Sequence, residues 1–482
     1  MLWNSAQVEY DLVVIGASLE GIFAANLAAS FKARVALINL PFSGHSSSAE
    51  IVYNRVLSQT NSFLDNLRGA TQLGIYPSID LNPELSAVTA FANEIITNLT
   101  AENSLTALAE IGVDVISGVG EFCRLPNLAF IVGKRKLRSR RYLIATGSSA
   151  AGKNLALLEK IGYSTTSDLW QKNCLESLPD RLAIIGGTPL ALEIAQNLAK
   201  LGKKITLIAE DDRILPREDR EIARLIQACL EAEGVRVFTN SPLTQVRSIA
   251  GQKWLQAGDR AIETDRVIFA GSRSPNIFGL NLPGVGIKFS STGLKLDLRL
   301  RTTNPRIYAC GDVAGGYPFP HLARYEANIA VRNALFLSKL KVDYRYIPIA
   351  IFTAPNLARV GMTEAEAKFR YGNNNISIIK QYFKTIAGAQ INSTTTGIFK
   401  LISTHCGKIL GVHIAGPQAA ESIASLALAI KHNINLKAIA NLPNSFTSYS
   451  EIIDRSIIEF QQQNKSSHSI WQRFLRYFFC DC

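Results

Sequence analysis

The sequence predicts an α/β fold built on two dinucleotide-binding units, with a smaller α+β domain after them. Two segments read alike. Tyr10 to Gly21 runs Tyr-Asp-Leu-Val-Val-Ile-Gly-Ala-Ser-Leu-Glu-Gly, and Arg181 to Glu193 runs Arg-Leu-Ala-Ile-Ile-Gly-Gly-Thr-Pro-Leu-Ala-Leu-Glu. In each, an apolar strand enters a tight glycine turn and then a helix of small residues. That geometry brings backbone N–H groups and a helix N-terminus up to a pyrophosphate. The third observation is length: 482 residues exceed one core, and about 150 residues per domain gives roughly three domains.

Taken in order, Asp11 to Gly16 reads as a strand, Gly21 to Phe31 as a helix and Arg34 to Leu40 as a second strand, the alternation of a doubly wound sheet. Ser47 to Arg68 is helix-rich. Lys134 to Gly147 predicts a hairpin-like pair of strands ending in Tyr-Leu-Ile-Ala-Thr-Gly (142–147). The second strand–turn–helix unit spans Arg181 to about Ala270 and reads as an insertion. Asn304 to Asp312 is a further strand with a Gly-Asp end. From Tyr346 the pattern shifts to longer strands and two helices. Asn464 to His468 predicts a polar linker before an aromatic tail.

Composition narrows the function classes. The chain is 47% hydrophobic and 19% charged, the balance of a folded protein rather than a disordered one. No run of about 18 apolar residues predicts a membrane span. Met1 to Glu9 lacks a basic region followed by an apolar run, so the expectation is a cytoplasmic protein without a signal peptide. The seven cysteines, at 123, 174, 229, 310, 406, 480 and 482, show neither framework nor metal spacing and predict reduced thiols without a metal site. A net charge of +12 favours anionic partners. No nucleic-acid signature accompanies it, so the expectation is anionic cofactors and no nucleic acid.

Three further elements point to the first unit as a nucleotide site. Ala145, Thr146 and Gly147 end a strand where backbone passes close to a cofactor, which suits small residues. Ile307 to Val313 places the carboxylate of Asp312, after Gly311, at a strand end where hydroxyls could donate to it. His321 to Ala327 then opens a helix, with His321 at its start. Together with the two glycine turns, the segments 265–276 and 300–305 and the C-terminal domain, these motifs make the chain resemble the pyridine nucleotide–disulfide oxidoreductases over about residues 10–460. The resemblance implies two Rossmann-like domains, an FAD domain split around an NAD(P) domain, and a C-terminal α+β dimerisation domain. Its boundaries here are 1–154 and 275–345 for FAD, 155–274 for NAD(P), 346–463 for dimerisation and 464–482 for the tail. A homodimer is implied.

The resemblance also assigns residues. FAD would be held by Gly16, Ser18 and Gly21 of the first turn, Asn39 at the ribose, Ala145, Thr146, Gly147, Gly311 and Asp312. Ser18 stands where the middle glycine is expected and is small enough for a pyrophosphate to approach. Asn39 replaces an acid and bonds a ribose hydroxyl without charge assistance. The nicotinamide nucleotide would be held by Gly186, Gly187, Thr188 and Glu210, with NADH slightly preferred over NADPH because no arginine awaits a 2′-phosphate. Glu193, His321 and Glu451 are the candidate catalytic residues, with His321 bonding near the flavin.

The departures decide the expected chemistry. Members of the family carry two cysteines in the helix after the second strand, and here residues 43–55 contain none. Arg55 could replace the lysine that pairs with the glutamate matched by Glu193, but it reads first as a solvated surface arginine. The C-terminal histidine motif reads Phe446-Thr-Ser-Tyr-Ser-Glu, so a phenyl ring, which takes no proton, stands in the base position and Glu451 is retained. The expected function is therefore hydride transfer from NAD(P)H to FAD and on to a small non-disulfide acceptor, such as a quinone or second nucleotide, without a dithiol relay. The alternative is a non-catalytic nucleotide-binding or interaction protein. Cys310, Cys406, Cys229 and Cys174 read as structural, and His405 and His413 as surface or satisfied core. Ile470, Trp471, Phe474, Leu475, Phe478 and Phe479 recur at helical spacing with Arg473 and Arg476, which suits either self-packing or peripheral membrane contact.

Overall fold

The structure, a computed structural model, describes residues 8–41, 47–76, 82–101, 104–171, 174–316, 318–336, 338–440 and 442–466. The fold is mixed α/β. In chain order its principal elements begin β1 (Tyr10–Ile15), α1 (Leu19–Ser30), β2 (Val35–Asn39), α2 (Ser47–Gly69), β3 (Asp114–Ser117), β4 (Ser139–Ile144), β5 (Arg181–Ile185), α3 (Pro189–Lys200), β6 (Lys204–Ile208), α4 (Arg220–Ala232) and β7 (Arg236–Phe238). They continue β8 (Ile307–Ala309), α5 (Pro320–Phe336), β9 (Ile349–Ile351), β10 (Leu357–Gly361), α6 (Glu364–Tyr371), β11 (Ile376–Tyr382), β12 (Ile398–Thr404), β13 (Ile409–Ala415), α7 (Ala419–Lys431) and α8 (Glu451–Ser466). The chain divides into two compact units, one of residues 1–179, 245–254 and 263–342 and one of residues 180–244, 255–262 and 343–482.

The first unit is organised by a parallel sheet of order β8-β4-β1-β2-β3. Both faces are covered, so β1 and β4 are apolar runs rather than alternating strands. Leu12, Val14 and Leu143 pack on one face against Ala24, Ala25 and Ala28 of α1 and Ala327 and Ala330 of α5. Small residues let those helices approach the sheet closely. Val13, Ile15, Ile38 and Ile144 face the other way, onto Phe122, Phe130 and Leu137. Each such aliphatic side chain contributes roughly 1.5–3 kcal/mol on burial.

Three expectations are corrected here. The predicted hairpin within 134–147 is two strands of different sheets. Arg135–Leu137 pairs antiparallel with Ala129–Val132, while β4 lies between β1 and β8. Tyr142 drives the separation: its fully buried ring places the hydroxyl to accept the Ser139 N–H at 3.0 Å, so β4 starts at Ser139 inside the core. The strand predicted over 304–312 shortens to β8, because Gly311–Ala314 turns into a 3₁₀ segment. The linker predicted from Asn464 is helical through Ser466, the end of α8, as nothing in that stretch breaks a helix whose Ile452, Ile457 and Phe460 are buried. Ser467, His468 and the aromatic tail, with Cys480 and Cys482, lie outside the described residues. Among the described residues no helix is long and apolar enough to cross a membrane.

The second unit contains parallel strands in the order β7-β6-β5, flanked by α3 and α4, and an antiparallel sheet of order β9-β10-β13-β12-β11. Ala419, Ile423 and Leu426 of α7 and Ile452 and Phe460 of α8 join Val360, Phe399 and Val412 in one core. Within this unit sits a buried cation. Lys400 of β12, 2% exposed, places Nζ 2.9 Å from Asp219 Oδ1, 2.5 Å from Glu364 Oε2 and 3.2 Å from Glu221 Oε2. Asp219 also N-caps α4, accepting the Glu221 N–H at 3.1 Å. Burial works against the charged form of Lys400, but the Glu364 and Asp219 hydrogen bonds outweigh it and hold the ammonium above its ordinary pKa. His413 lies within β13 rather than at its edge. Burial drops its pKa to about 4, and its Nε2 lies 2.8 Å from the Met362 carbonyl. His405 is exposed, with Nε2 2.9 Å from the Asn374 carbonyl.

Lys400→Met leaves Asp219 as a buried carboxylate without its ammonium, while Glu364, partly exposed, keeps Lys368 at 2.5 Å. The expected cost is about 3–5 kcal/mol of stability, read as a lower urea midpoint at unchanged m-value. A midpoint equal to wild type would show that the pair is not buried as described.

Candidate functional site

The first glycine turn closes on the end of β4 with no space to spare. Gly16 has φ +107°, and a Cβ there would lie 2.3 Å from the Ala145 carbonyl oxygen. A Cβ on Gly21 would lie 2.1 Å from the Gly16 carbonyl oxygen. Both distances are far inside contact range, so side chains are excluded at both positions and α1 starts directly at the sheet edge. Ser18 is the N-cap: its Oγ accepts the Gly21 N–H at 3.3 Å and donates to the Ala145 carbonyl at 2.8 Å. One hydroxyl thus ties the head of α1 to β4.

Beyond Ala145 the surroundings turn polar. Thr146 is 1% exposed, and its Oγ1 has no hydrogen-bond partner among the described residues. Leaving such a group unpaired costs about 1–3 kcal/mol, so an orphan hydroxyl here points to a ligand. Gly147 has φ +69° and open space where a Cβ would project. Asn276 holds this segment by donating Nδ2–H to the Thr146 carbonyl at 3.0 Å and N–H to the Gly147 carbonyl at 3.0 Å. Asp312 Oδ2 accepts from Ser148 Oγ at 2.8 Å, and Arg273 donates to that Oγ at 2.8 Å and to the Ser148 carbonyl at 2.7 Å. The Gly311 N–H donates to Glu326 Oε2 at 2.8 Å. Asn39 ends β2 at the same sheet edge, opposite Ser117 of β3.

The structure therefore brings Gly16, Ser18, Gly21, Ala145, Thr146, Gly147, Gly311 and Asp312 together at the carboxyl ends of the parallel strands, with Asn39 on the same edge. Open α/β sheets bind ligands at that edge. The pieces present suit a dinucleotide: a helix N-terminus, a side-chain-free cradle, an unpaired hydroxyl, and a carboxylate for ligand hydroxyls. His321 is exposed in the first turn of α5, its ring 5.6 Å from that of Phe319.

Sequence reading passed over several groups here. Glu326, Ser148, Arg273 and Asn276 carry no signal outside the fold, because their partners are more than a dozen residues away. Glu20 had one, a carboxylate inside a glycine turn. It is 8% exposed and packs against Gly311, where a Cβ would come within 2.4 Å of Glu20 Oε1. Burial pushes its pKa up to about 7; its own backbone N–H works against that, while Asp312 and Glu326 add to it. The thiol of Cys310, fully buried nearby, is likewise pushed well above its ordinary value by burial.

In the second unit the turn is similar. Gly186 has φ +138°, and Thr188 N-caps α3 by accepting the Ala191 N–H at 3.3 Å, with Pro189 in the first turn. A Cβ on Gly187 would lie 3.2 Å from the Ala209 Cβ. Glu210 is exposed just past the end of β6. Glu193 is buried in α3 with Oε1 accepting the Phe352 N–H at 2.7 Å. Gln196, one turn on, exchanges two hydrogen bonds with Ala354, at 2.8 and 2.7 Å. Glu451, in the first turn of α8, pairs with Arg455 at 2.8 Å. Phe446 is 80% exposed. Glu193 thus holds a backbone amide at the end of β9, and Glu451 an arginine one turn along its own helix. Arg55 is exposed on α2. Among the described residues no group of three or more His, Cys, Asp or Glu could hold a metal ion.

The raised pKa of Glu20 has a consequence for stability. The folded state binds a proton between about pH 4.5 and 7 that the unfolded chain has released. The stabilisation is therefore complete below about 4.5 and lost as pH rises through about 7. Glu20→Gln is expected to raise the melting temperature at pH 8 and to leave it nearly unchanged at pH 4.5. An equal shift at both pH values would contradict a buried, titrating carboxyl.

Comparison with known proteins gives a consistent picture. A family model described as pyridine nucleotide-disulphide oxidoreductase matches residues 10–327, and the dimerisation domain of the same family matches residues 347–456. The chain is 27% identical over 466 residues to a mercuric reductase of Bacillus cereus, covering 95% of this chain and 73% of that one. It is 28% identical over 454 residues to a dihydrolipoyl dehydrogenase of Bacillus subtilis, covering 93% and 98%. Among solved structures, LpdA of Mycobacterium tuberculosis superposes with a TM-score of 0.81 at 24% identity, over 93% of this chain and 99% of that one. The flavoprotein disulfide reductase RclA of Escherichia coli does so at 0.80 and 23%, over the same shares.

Proposed function

We propose, on the premise that the chain belongs to the pyridine nucleotide-disulphide oxidoreductase family, that it is an FAD-dependent NAD(P)H oxidoreductase delivering electrons to a non-disulfide acceptor. The observation that carries this reading is the absence of cysteine before Cys123 in the sequence. Family members place their thiol pair in the helix after the second strand, and α2 with its approach has serines, a glutamate and an asparagine instead. Phe446 in the base position fits the same reading, since a thiol relay without thiols has no use for a base.

FAD, when bound, supplies the two-electron step between a nicotinamide and the acceptor. The chain's own residues hold it: the α1 amides and Ser18 at the pyrophosphate, Thr146 Oγ1 and Gly147 at its edge, Asp312 on the ribityl hydroxyls and Asn39 on the ribose. Ser148 and Arg273 orient the Asp312 carboxylate. Gly186, Gly187 and Thr188 receive the second dinucleotide, with Glu210 on its ribose favouring NADH. Glu193 acts here as a positioning residue, fixing α3 through the Phe352 amide, and His321 sits at the flavin end of α5. Glu451 anchors the start of α8 through Arg455. The split FAD domain, the inserted NAD(P) domain and a homodimer through residues 346–463 belong to the same reading, as does a cytoplasmic setting. The acceptor is a small diffusible oxidant such as a quinone, and the aromatic-basic tail is assigned either to self-packing or to a membrane surface.

The purified protein is expected to show flavin absorption near about 450 nm, a property of the cofactor, that bleaches when NADH is added without air. Re-oxidation should follow addition of a quinone and not of lipoamide or glutathione disulfide. Asp312→Ala should lose the bound flavin. Turnover with a disulfide would overturn the acceptor assignment. Failure of the folded chain to take up FAD would favour the second reading, a binding protein without turnover. The observation favouring that reading is the buried carboxyl of Glu20 at the head of α1.

A further inference from the structure

We propose that Glu20 is an internal anion at the head of α1, competing with the dinucleotide pyrophosphate, so that the first unit loads FAD with uptake of a proton. The inference rests on the FAD reading above and concerns what controls occupancy of that site.

The first-turn amides of a helix have no intrahelical acceptor and draw anions. Glu20 is the second residue of α1, directly at that end. A solvent-facing glutamate there would leave the amides open to a ligand. This one instead lies 92% buried, folded between the head of α1 and the turn after β8, where only the missing side chain of Gly311 gives it room. Its own backbone N–H, one of the amides a pyrophosphate would use, acts on the carboxyl in the sense that favours its charge.

The charges facing it sharpen the conflict. Asp312 approaches from the turn after β8 and Glu326 from α5, and both act on Glu20 in the same sense, while the thiol of Cys310 adjoins them from the end of β8. A doubly charged pyrophosphate brought to this corner meets up to three carboxylates. Glu326 keeps its place on the Gly311 amide and Asp312 on Ser148, so Glu20, held at the helix end itself, is the group left to become neutral. That a ligand belongs here is indicated independently by the Thr146 hydroxyl, 1% exposed and unpaired among the described residues. Thr146 backs the same turn, its Cα 2.8 Å from where a Gly16 Cβ would be.

The test is the affinity of the apo-protein for FAD, followed by quenching of FAD fluorescence from pH 5.5 to 8.5. The pyrophosphate stays fully ionised over that range, so any slope comes from the protein. Wild type is expected to weaken by roughly tenfold per pH unit once Glu20 is ionised. Glu20→Gln, equal in size and uncharged, should be flat within about twofold by the same linkage. Calorimetry of wild type in buffers of different ionisation enthalpy should show close to one proton taken up per FAD at pH 8, and this needs no variant. A flat wild-type profile, an unchanged slope in Glu20→Gln, or no proton uptake would each overturn the proposal while leaving the FAD reading intact. No quenching by either protein at any pH would overturn both together.

Discussion

The close approach of the β1–α1 turn to the end of β4 is the constraint from which the rest of the first unit follows. With side chains excluded at Gly16 and Gly21, backbone meets backbone at the sheet edge, and α1 begins one residue beyond the cap. The alanines of α1 then face the sheet and keep it close. Ser18 can reach the Ala145 carbonyl only because that distance is short. Thr146, Gly147 and Asp312 gather around the same point because β4 and β8 run parallel to β1 and end beside it. Nothing in the glycine turn itself requires a charged side chain, and the buried carboxyl of Glu20 stands out for that reason.

Much of this was legible in the chain. The two glycine turns, the apolar strands before them and the small-residue helices after them are local patterns, and local geometry decides them. Ala145–Gly147 and Gly311–Asp312 could be assigned to the first turn because a parallel sheet lines up strand ends. The remainder was not legible for equally physical reasons. Arg273 acts on Ser148 and Asp312, which are 125 and 39 positions away in the sequence, so no window of residues shows the triad. The hairpin expected within 134–147 failed because a polar run between two strands looks the same whether they pair or part. The depth of Tyr142 in the core separates those cases, and depth is a property of the fold.

The two units handle buried charge in opposite ways. In the second, Lys400 is surrounded by carboxylates, and each partner settles the ionisation of the other. Desolvation is met by hydrogen bonds and opposite charge, so the cluster holds one fixed protonation pattern near neutral pH. In the first, Glu20 is desolvated among groups of its own sign. It has no fixed state near neutrality, and small changes in surroundings tip it. One arrangement specifies structure and the other leaves a charge responsive to what arrives. Polar burial of the first kind defines where elements sit, whereas the second kind is a common feature of functional sites.

The Lys400 cluster also bears on how this sequence can change over generations. Asp219 caps α4, Glu221 lies in the first turn of the same helix, Glu364 opens α6 and Lys400 sits mid-strand in β12, so three separate segments meet at one buried ammonium. Replacing either Lys400 or Asp219 takes away the buried partner of a buried charge, and intermediates on the way to another solution carry that defect. Substitution at Lys400 and Asp219 is therefore expected to come as a compensating pair or not at all, while the surfaces around them drift freely. The corner is a ratchet on descent as much as a fastening in the fold.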